Sequence, residues 1–229
     1  NTNRQVQIGR AVVEPPKEVR QDWWIIQEIA KRMGLGWDYK SPKDIFDEMK
    51  LVMPSLNNIS WERLEKDNHV TYPVKSELIP GEDIIFTNGF PTSNNLAKII
   101  PVNLINPNDE LNSDFPLILS TGRLLEHWHT GTMTRRALVL NELEPDPMIF
   151  MSQVDSNFYN LDLNKSVIIE TRRGKISIKI RHDNDLLPGM IFLPFCFKEA
   201  AANILTNSDL DPIGKIPELK FSAARVYQN

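Results

Sequence analysis

The run Pro116-Leu117-Ile118-Leu119-Ser120-Thr121-Gly122-Arg123-Leu124-Leu125-Glu126-His127-Trp128-His129-Thr130-Gly131-Thr132-Met133-Thr134-Arg135-Arg136 marks the point where the chain changes character. Its first five residues, an apolar stretch opened by a proline, read as a strand. Directly after the strand end come four threonines, two glycines, two of the four histidines and three arginines. Small residues and arginine behind a strand suit an anion, because glycine lets backbone N–H groups approach a ligand and guanidinium forks bind phosphate through two hydrogen bonds. On composition alone the same stretch also reads as a polar surface loop, since Thr, Gly and Arg are ordinary loop residues.

Downstream, β-rich runs continue with Met148-Ile149-Phe150-Met151 and Ser166-Val167-Ile168-Ile169-Glu170. Arg173-Gly174 separates the latter from Lys175-Ile176-Ser177-Ile178-Lys179-Ile180, whose strict alternation predicts a hairpin with one solvated face. A strand over Met190–Leu193, a short helix around Glu199–Leu205 and a last strand near Phe221–Val226 follow. Six short strands with interspersed helices point to a small closed barrel rather than an open parallel sheet.

Upstream, the pattern is helical. Asp22 is placed to cap a helix near 22–33 with Trp23, Ile26, Ala30 and Met33 on one face, and Gly34 to end it. Ser41-Pro42 opens a second helix carrying Ile45, Phe46, Met49 and Val52, stopped before Pro54, and a third begins at Ser60. From 67 the periodicity fades, and prolines at 73, 80, 91, 101 and 107 mark a linker with short strands. The expected organisation is therefore α+β: a mainly helical segment over 1–66, a linker over 67–111, and a β-barrel domain over 112–229.

The 229 residues, 41% hydrophobic and 24% charged, describe a globular chain, with one large domain or two small ones. No stretch approaches the roughly 18 apolar residues of a membrane span, and the start at Asn1-Thr2-Asn3-Arg4 is no signal peptide. A net charge of -4 argues against a broad phosphate-tracking surface, so nucleic acid is not an expected partner. The lone Cys196 rules out an internal disulfide framework and a cysteine-ligated cluster held within this chain, and among Leu193, Pro194, Phe195 and Phe197 it reads as a small buried hydrophobe. The opening in the middle of polar sequence reads as a piece of a longer polypeptide.

His127 and His129, two residues apart, would point to one side of an extended segment as a zinc pair requires, but no third ligand shows the spacing, so hydrogen bonding to a bound ligand is the expectation. Asn203, in the small-residue turn Ala200-Ala201-Ala202-Asn203, reads as a helix cap. Lys215 and Lys220 read as solvated, and Trp23, Trp24, Trp37 and Trp61 as core or domain-interface packing. Nucleophile, paired-carboxylate and phosphate-loop signatures are absent from the sequence. Residue by residue, the chain is a binding module for an anionic, phosphorylated ligand.

Thr121-Gly122-Arg123 with His127 to Arg136 resembles the dinucleotide-binding signature of the C-terminal domain of molybdopterin oxidoreductases, in its formate dehydrogenase version. Glu199 to Thr206, Leu210-Asp211-Pro212, Lys215-Ile216-Pro217-Glu218 and Lys220 are similar to that domain's closing motif, with Phe221 where the family often has Tyr or His. Asn1 to Gln7, Glu14-Pro15-Pro16, Asp22-Trp23 and Ser41 to Met49 resemble the end of the central catalytic domains of formate dehydrogenase alpha subunits. The resemblance implies a double-psi β-barrel, preceded by the helical end of an upstream α/β domain. As cofactor it implies molybdenum (or tungsten) bis(molybdopterin guanine dinucleotide), contacted by Thr121, Gly122, Arg123, His127, Trp128, Thr130, Thr132, Asn203 and Lys220. It places the metal's Cys or selenocysteine ligand, the catalytic residues and the iron-sulfur cluster upstream, so no catalytic or metal-binding residue is assigned here. Expected partners are the upstream part of the same subunit, iron-sulfur or diaphorase-type electron-transfer subunits and formate, in the cytoplasm or alternatively the periplasm. Two other readings stay open: the same domain of a nitrate or other oxyanion reductase, and a non-catalytic anion-binding module.

Overall fold

The computed structural model describes residues 1–228, which fall into two compact units, Asn1–Pro101 and the residues from Val102 onward. In the first, β1 (Gln5–Gln7) pairs antiparallel with β2 (His69–Thr71), with Val6 opposite Val70. Three helices accompany them: α1 (Asp22–Arg32), α2 (Pro42–Val52) and α3 (Trp61–Asp67). A capping box starts α2, where Ser41 Oγ accepts from the Asp44 amide at 3.4 Å and the Asp44 carboxylate accepts from the Ser41 amide at 3.1 Å. Ser60 likewise caps α3, accepting from the Arg63 amide at 3.1 Å. The small core gathers Phe46, Leu56, Ile59, Leu64, Val70 and Val74.

Helix α1 departs from its expected orientation. Asp22 is its first residue rather than its cap, and the capping position is Gln21. Gln27 and Ala30 are the buried residues, whereas Ile26 and Met33 are exposed. The reason is polar: the Gln27 side chain donates to the Tyr39 carbonyl at 3.1 Å and accepts from the Tyr39 amide at 2.6 Å, which turns that face inward. Gly34, at φ +86°, ends the helix as anticipated. Of the tryptophans read as packing, Trp61 lies against the core, while Trp24 and Trp37 are partly exposed.

The second unit is a closed six-stranded barrel built from β3 (Leu117–Gly122), β4 (Met148–Met151), β5 (Val167–Thr171), β6 (Lys175–His182), β7 (Met190–Pro194) and β8 (Ser222–Tyr227), in the order β3-β7-β4-β6-β5-β8. The β3/β7 and β4/β6 pairs are parallel and the other four antiparallel. This is an α+β organisation ending in a β-barrel. Ile176, Ile178 and Ile180 face the core while Lys175, Ser177 and Lys179 are exposed, as the alternation requires. The β5–β6 turn has three residues, Arg172 to Gly174. A Cβ on Gly174 would lie 2.7 Å from Ile204 Cγ2 and 2.9 Å from its carbonyl oxygen, so a side chain is excluded there by the chain crossing it.

Two short helices, α4 (Leu138–Leu143) and α5 (Gln153–Phe158), join the strands, and the helix expected over 199–205 is instead a pair of 3-10 turns, Lys198–Ala200 and Ala202–Ile204. The unit begins at Val102, ahead of residue 112, because the preceding segment is anchored to the barrel by Asp109. That buried carboxylate bonds Arg172, accepts from Arg173 at 2.5 Å and accepts from the Ala223 amide at 2.8 Å. Burial raises its pKa, but the two guanidiniums and the amide prevail and hold it below the usual carboxylate value.

Candidate functional site

The parallel β3/β7 pairing sets Gly122 opposite Pro194, so the loop after β3 and the segment after β7 leave the same end of the barrel side by side. The Phe195 amide extends the ladder to the Gly122 carbonyl at 3.1 Å. A third segment joins them from the start of β8: Thr121 Oγ1 donates to the Leu219 carbonyl at 2.6 Å, and Lys220 Nζ donates to the Thr121 carbonyl. Residues 121–136, 195–203 and 219–220 thus converge on one rim.

Between them lie two openings. One, of about 440 Å³, is lined by Thr121, His129, Thr130, Lys198 and Asn203 over an apolar floor that includes Phe195 and Phe197. The other, of about 470 Å³, is lined by Thr130, Thr132, Arg135, Arg136, Lys198 and Glu199. Thr130 and Lys198 border both, so the two form one groove, apolar at one end and cationic at the other. Such a combination accommodates a ring system at one end and an anion at the other.

The candidate residues take different places in this frame. Thr121 is buried and its hydroxyl is already committed to Leu219. At Gly122 packing alone excludes a side chain, since a Cβ there would lie 2.5 Å from the Phe192 ring. Gly131, at φ +75°, turns the loop where a Cβ would come within 2.8 Å of the Cys196 carbonyl oxygen. The two histidines do not share a side. His127 is 2% exposed, its Nε2 donating to the Glu144 carbonyl at 2.8 Å and its Nδ1 bonded to Thr134 Oγ1 at 3.3 Å. His129, at φ +47°, turns outward, and its Nε2 accepts from Arg123 at 3.3 Å. The expected extended geometry fails because the loop reverses here. Among the described residues no group of three or more His, Cys, Asp or Glu side chains is placed to hold a metal ion.

Arg123 is exposed and stacks over Trp128, 5.9 Å from its ring centroid. Thr130 and Thr132 share a 3.1 Å hydroxyl hydrogen bond on the groove wall. Asn203 sits inside a 3-10 turn whose preceding residue is Ala201 with no side-chain cap, so its expected capping role is not taken up; it lines the groove instead. Arg135 and Arg136, the arginines that close the quoted motif, line the groove as that composition suggests, and Lys198 joins them without a signal of its own, because nothing local in the sequence shows that residues near 198 face residues near 130. Cys196 is buried behind the groove, and burial pushes its thiol up to about 11.

The barrel rim thus presents threonine hydroxyls, arginines and a lysine around a partly apolar groove. Residues 117–223 match the family described as the Molydopterin dinucleotide binding domain. Along its whole length it is similar to formate dehydrogenase alpha subunits: 39% identical over 228 residues to the F420-dependent formate dehydrogenase subunit alpha of Methanocaldococcus jannaschii, and 34% over 229 residues to the F420-dependent formate dehydrogenase 2 subunit alpha of Methanococcus maripaludis. Each match takes in 99% of this chain and 34% of the relative, so the chain spans about a third of their length. Among solved structures, the acetylene hydratase of Pelobacter acetylenicus shares the fold, with a TM-score of 0.66 at 20% identity over 99% of this chain and 35% of that one. No helix among the described residues is long and apolar enough to cross a membrane.

Proposed function

We propose that this chain is the cofactor-holding C-terminal portion of a formate dehydrogenase catalytic subunit, acting on formate with a molybdenum or tungsten bis(molybdopterin guanine dinucleotide). The similarity to the Methanocaldococcus jannaschii subunit carries this reading, because it runs through both units rather than the barrel alone. The name of that relative makes F420 the electron acceptor of this reading; the motif resemblance adds iron-sulfur centres outside this chain and an electron-transfer subunit, and the compartment proposed is the cytoplasm. The barrel fold by itself does not choose the reaction, since the acetylene hydratase has it too.

The donor set fits such a cofactor. Arg135 Nε is a buried side-chain nitrogen with no hydrogen-bond partner, and the Arg135 side chain lines the groove beside Lys198 and Arg136. When bound, the group supplies the two-electron chemistry at its metal. In this reading Arg123, Trp128, Thr130, Thr132 and Asn203 contact it, and Lys198 and Arg136 neutralise its phosphates. Thr121, Gly122 and Lys220 tie the end of β3 to the start of β8, and His127 braces the loop through Glu144 and Thr134. These side chains bind, orient and exclude water. The metal's thiolate or selenolate ligand and the residues that hold formate lie outside this chain.

The test is made on the full-length subunit. Bound molybdenum or tungsten, guanine nucleotide released by acid, and formate-dependent viologen reduction are the expected results. A metal-loaded subunit that leaves the dye oxidised with formate would overturn the substrate, and one without guanine nucleotide would overturn the cofactor.

A further inference from the structure

Arg135 bridges the two loops that flank the groove. It leaves the loop after β3, and its Nη1 donates to Glu199 Oε2 in the segment after β7 at 2.7 Å. Its guanidinium lies 4.9 Å from the centroid of the Phe197 ring. Its aliphatic stem fills the space a Cβ on Gly131 would need, with Cγ and Cδ at 2.8 and 2.9 Å from that position. The Glu199 carboxyl is held below its usual range by this arginine. A side chain held on three sides meets the demands of a structural clamp, yet its Nε–H is the buried side-chain polar group that is left unpaired among the described residues. Buried donors without partners are disfavoured, and a clamp alone gives no reason for keeping one.

We propose that Arg135 both sets the separation of the loops 123–136 and 195–203 and donates its Nε–H to an anionic oxygen, of the phosphate class, seated in the groove. The inference rests on the cofactor reading above and adds to it a specific donor and a coupling between the two loops. Lysine at this position keeps the charge and reaches Glu199, but it has no rigid fork to serve two acceptors at once. Glu199→Gln keeps an acceptor for Nη1 and leaves Nε in place.

The full-length subunit is prepared with cofactor and, from a cofactor-deficient host, without it, in wild-type, Arg135→Lys, Glu199→Gln and doubly substituted forms. Guanine nucleotide retained after gel filtration and the thermal midpoint of each form are measured. Arg135→Lys is expected to lower retention roughly tenfold, to melt like wild type without cofactor, and to lose most of the stabilisation that the cofactor confers. Glu199→Gln loses less, because it leaves Nε in place, and adding it to Arg135→Lys lowers retention little further, because the Nε donor is already gone. Equal retention in Arg135→Lys and wild type would overturn the proposal. So would an equal fall in the midpoint of both forms, which is the mark of a clamp without a ligand role. A wild-type subunit holding no guanine nucleotide would instead sink the cofactor reading beneath it.

Discussion

Gly131 and Gly189 offer a paired experiment on why the loop after β3 is built as it is. Both have positive φ, +75° and +87°, where an L side chain is strained by about 1–2 kcal/mol. They differ in surroundings. A Cβ on Gly189 meets nothing within 4 Å, whereas one on Gly131 lies 2.8 Å from the Cys196 backbone oxygen and 2.8 Å from Arg135 Cγ. The arginine stem can move, but the carbonyl belongs to the segment that continues β7 and yields only with the barrel rim. Overpacking of this kind adds about 1–3 kcal/mol. Gly131→Ala should therefore destabilise by about 2–5 kcal/mol, and Gly189→Ala by about 1–2 kcal/mol. In a chain of this size each kcal/mol lowers the thermal midpoint by roughly 2–4 °C. Thermal unfolding followed by circular dichroism would show the first variant melting well below the second. Equal midpoints would refute the reasoning, because the shared backbone strain would then be the whole effect and the contact with Cys196 would count for nothing.

Asp109→Asn removes a carboxylate held by two half-exposed arginines and should destabilise the barrel by about 2–3 kcal/mol, less than for a fully buried pair because water screens the guanidiniums. The carboxyl is held below its usual value of 3.8, so its stabilisation is present above that pH and lost as pH falls through the lowered value; a variant whose acid unfolding curve overlays wild type would refute this. Cys196 shifts the other way, from 9.0 to about 11, so its contribution is complete below pH 9 and lost as pH rises toward 11. The native thiol should resist alkylation at pH 8 and react on denaturation, and fast native labelling would contradict its burial. Arg123→Ala in the full-length subunit should lower guanine nucleotide retention roughly tenfold to a hundredfold, as expected for one charge-assisted contact of about 1.5–3 kcal/mol. Lys179→Ala, exposed on β6, is the control. Arg181 is unsuitable, since its 2.6 Å bond to Glu144 leads through that residue's carbonyl to His127; equal retention in the Arg123 and Lys179 variants would refute the contact.

Features whose signal lies within a few residues were legible in the sequence. Ser41, Pro42 and Asp44 carry the start of α2 within four positions, and Lys175 to Ile180 carry both the strand and its buried face. Strand β1 has no local signal, and β2 falls where the sequence promises short strands without placing them, because each exists only by pairing with a partner more than sixty residues away. The inward face of α1 was misread because a glutamine bonding to a distant backbone outweighed an apolar stripe. In the site, the motif after β3 pointed to the right loop, but Lys198 and Arg135 gain their meaning from the parallel β3/β7 register, which no local pattern encodes. His127 was expected to face a ligand and is instead internal, since a loop reversal at Trp128 and His129 leaves no periodic trace.

The strand order also dictates a timetable for biosynthesis. β8 is inserted between β3 and β5, pairing Leu119 with Ser222 and Ile169 with Val226, so the cylinder closes across roughly a hundred residues of intervening chain. Until the ribosome has released residues 222–227, β3 and β5 each present a bare edge, the kind of surface that recruits other strands. Closure at such sequence separation is slow relative to local folding. A nascent chain therefore passes through an interval in which a chaperone shielding those edges would favour correct assembly over aggregation. Lys220 and Leu219 reach Thr121 only with β8 in place, so the rim is completed after translation of this segment and cofactor insertion must follow it.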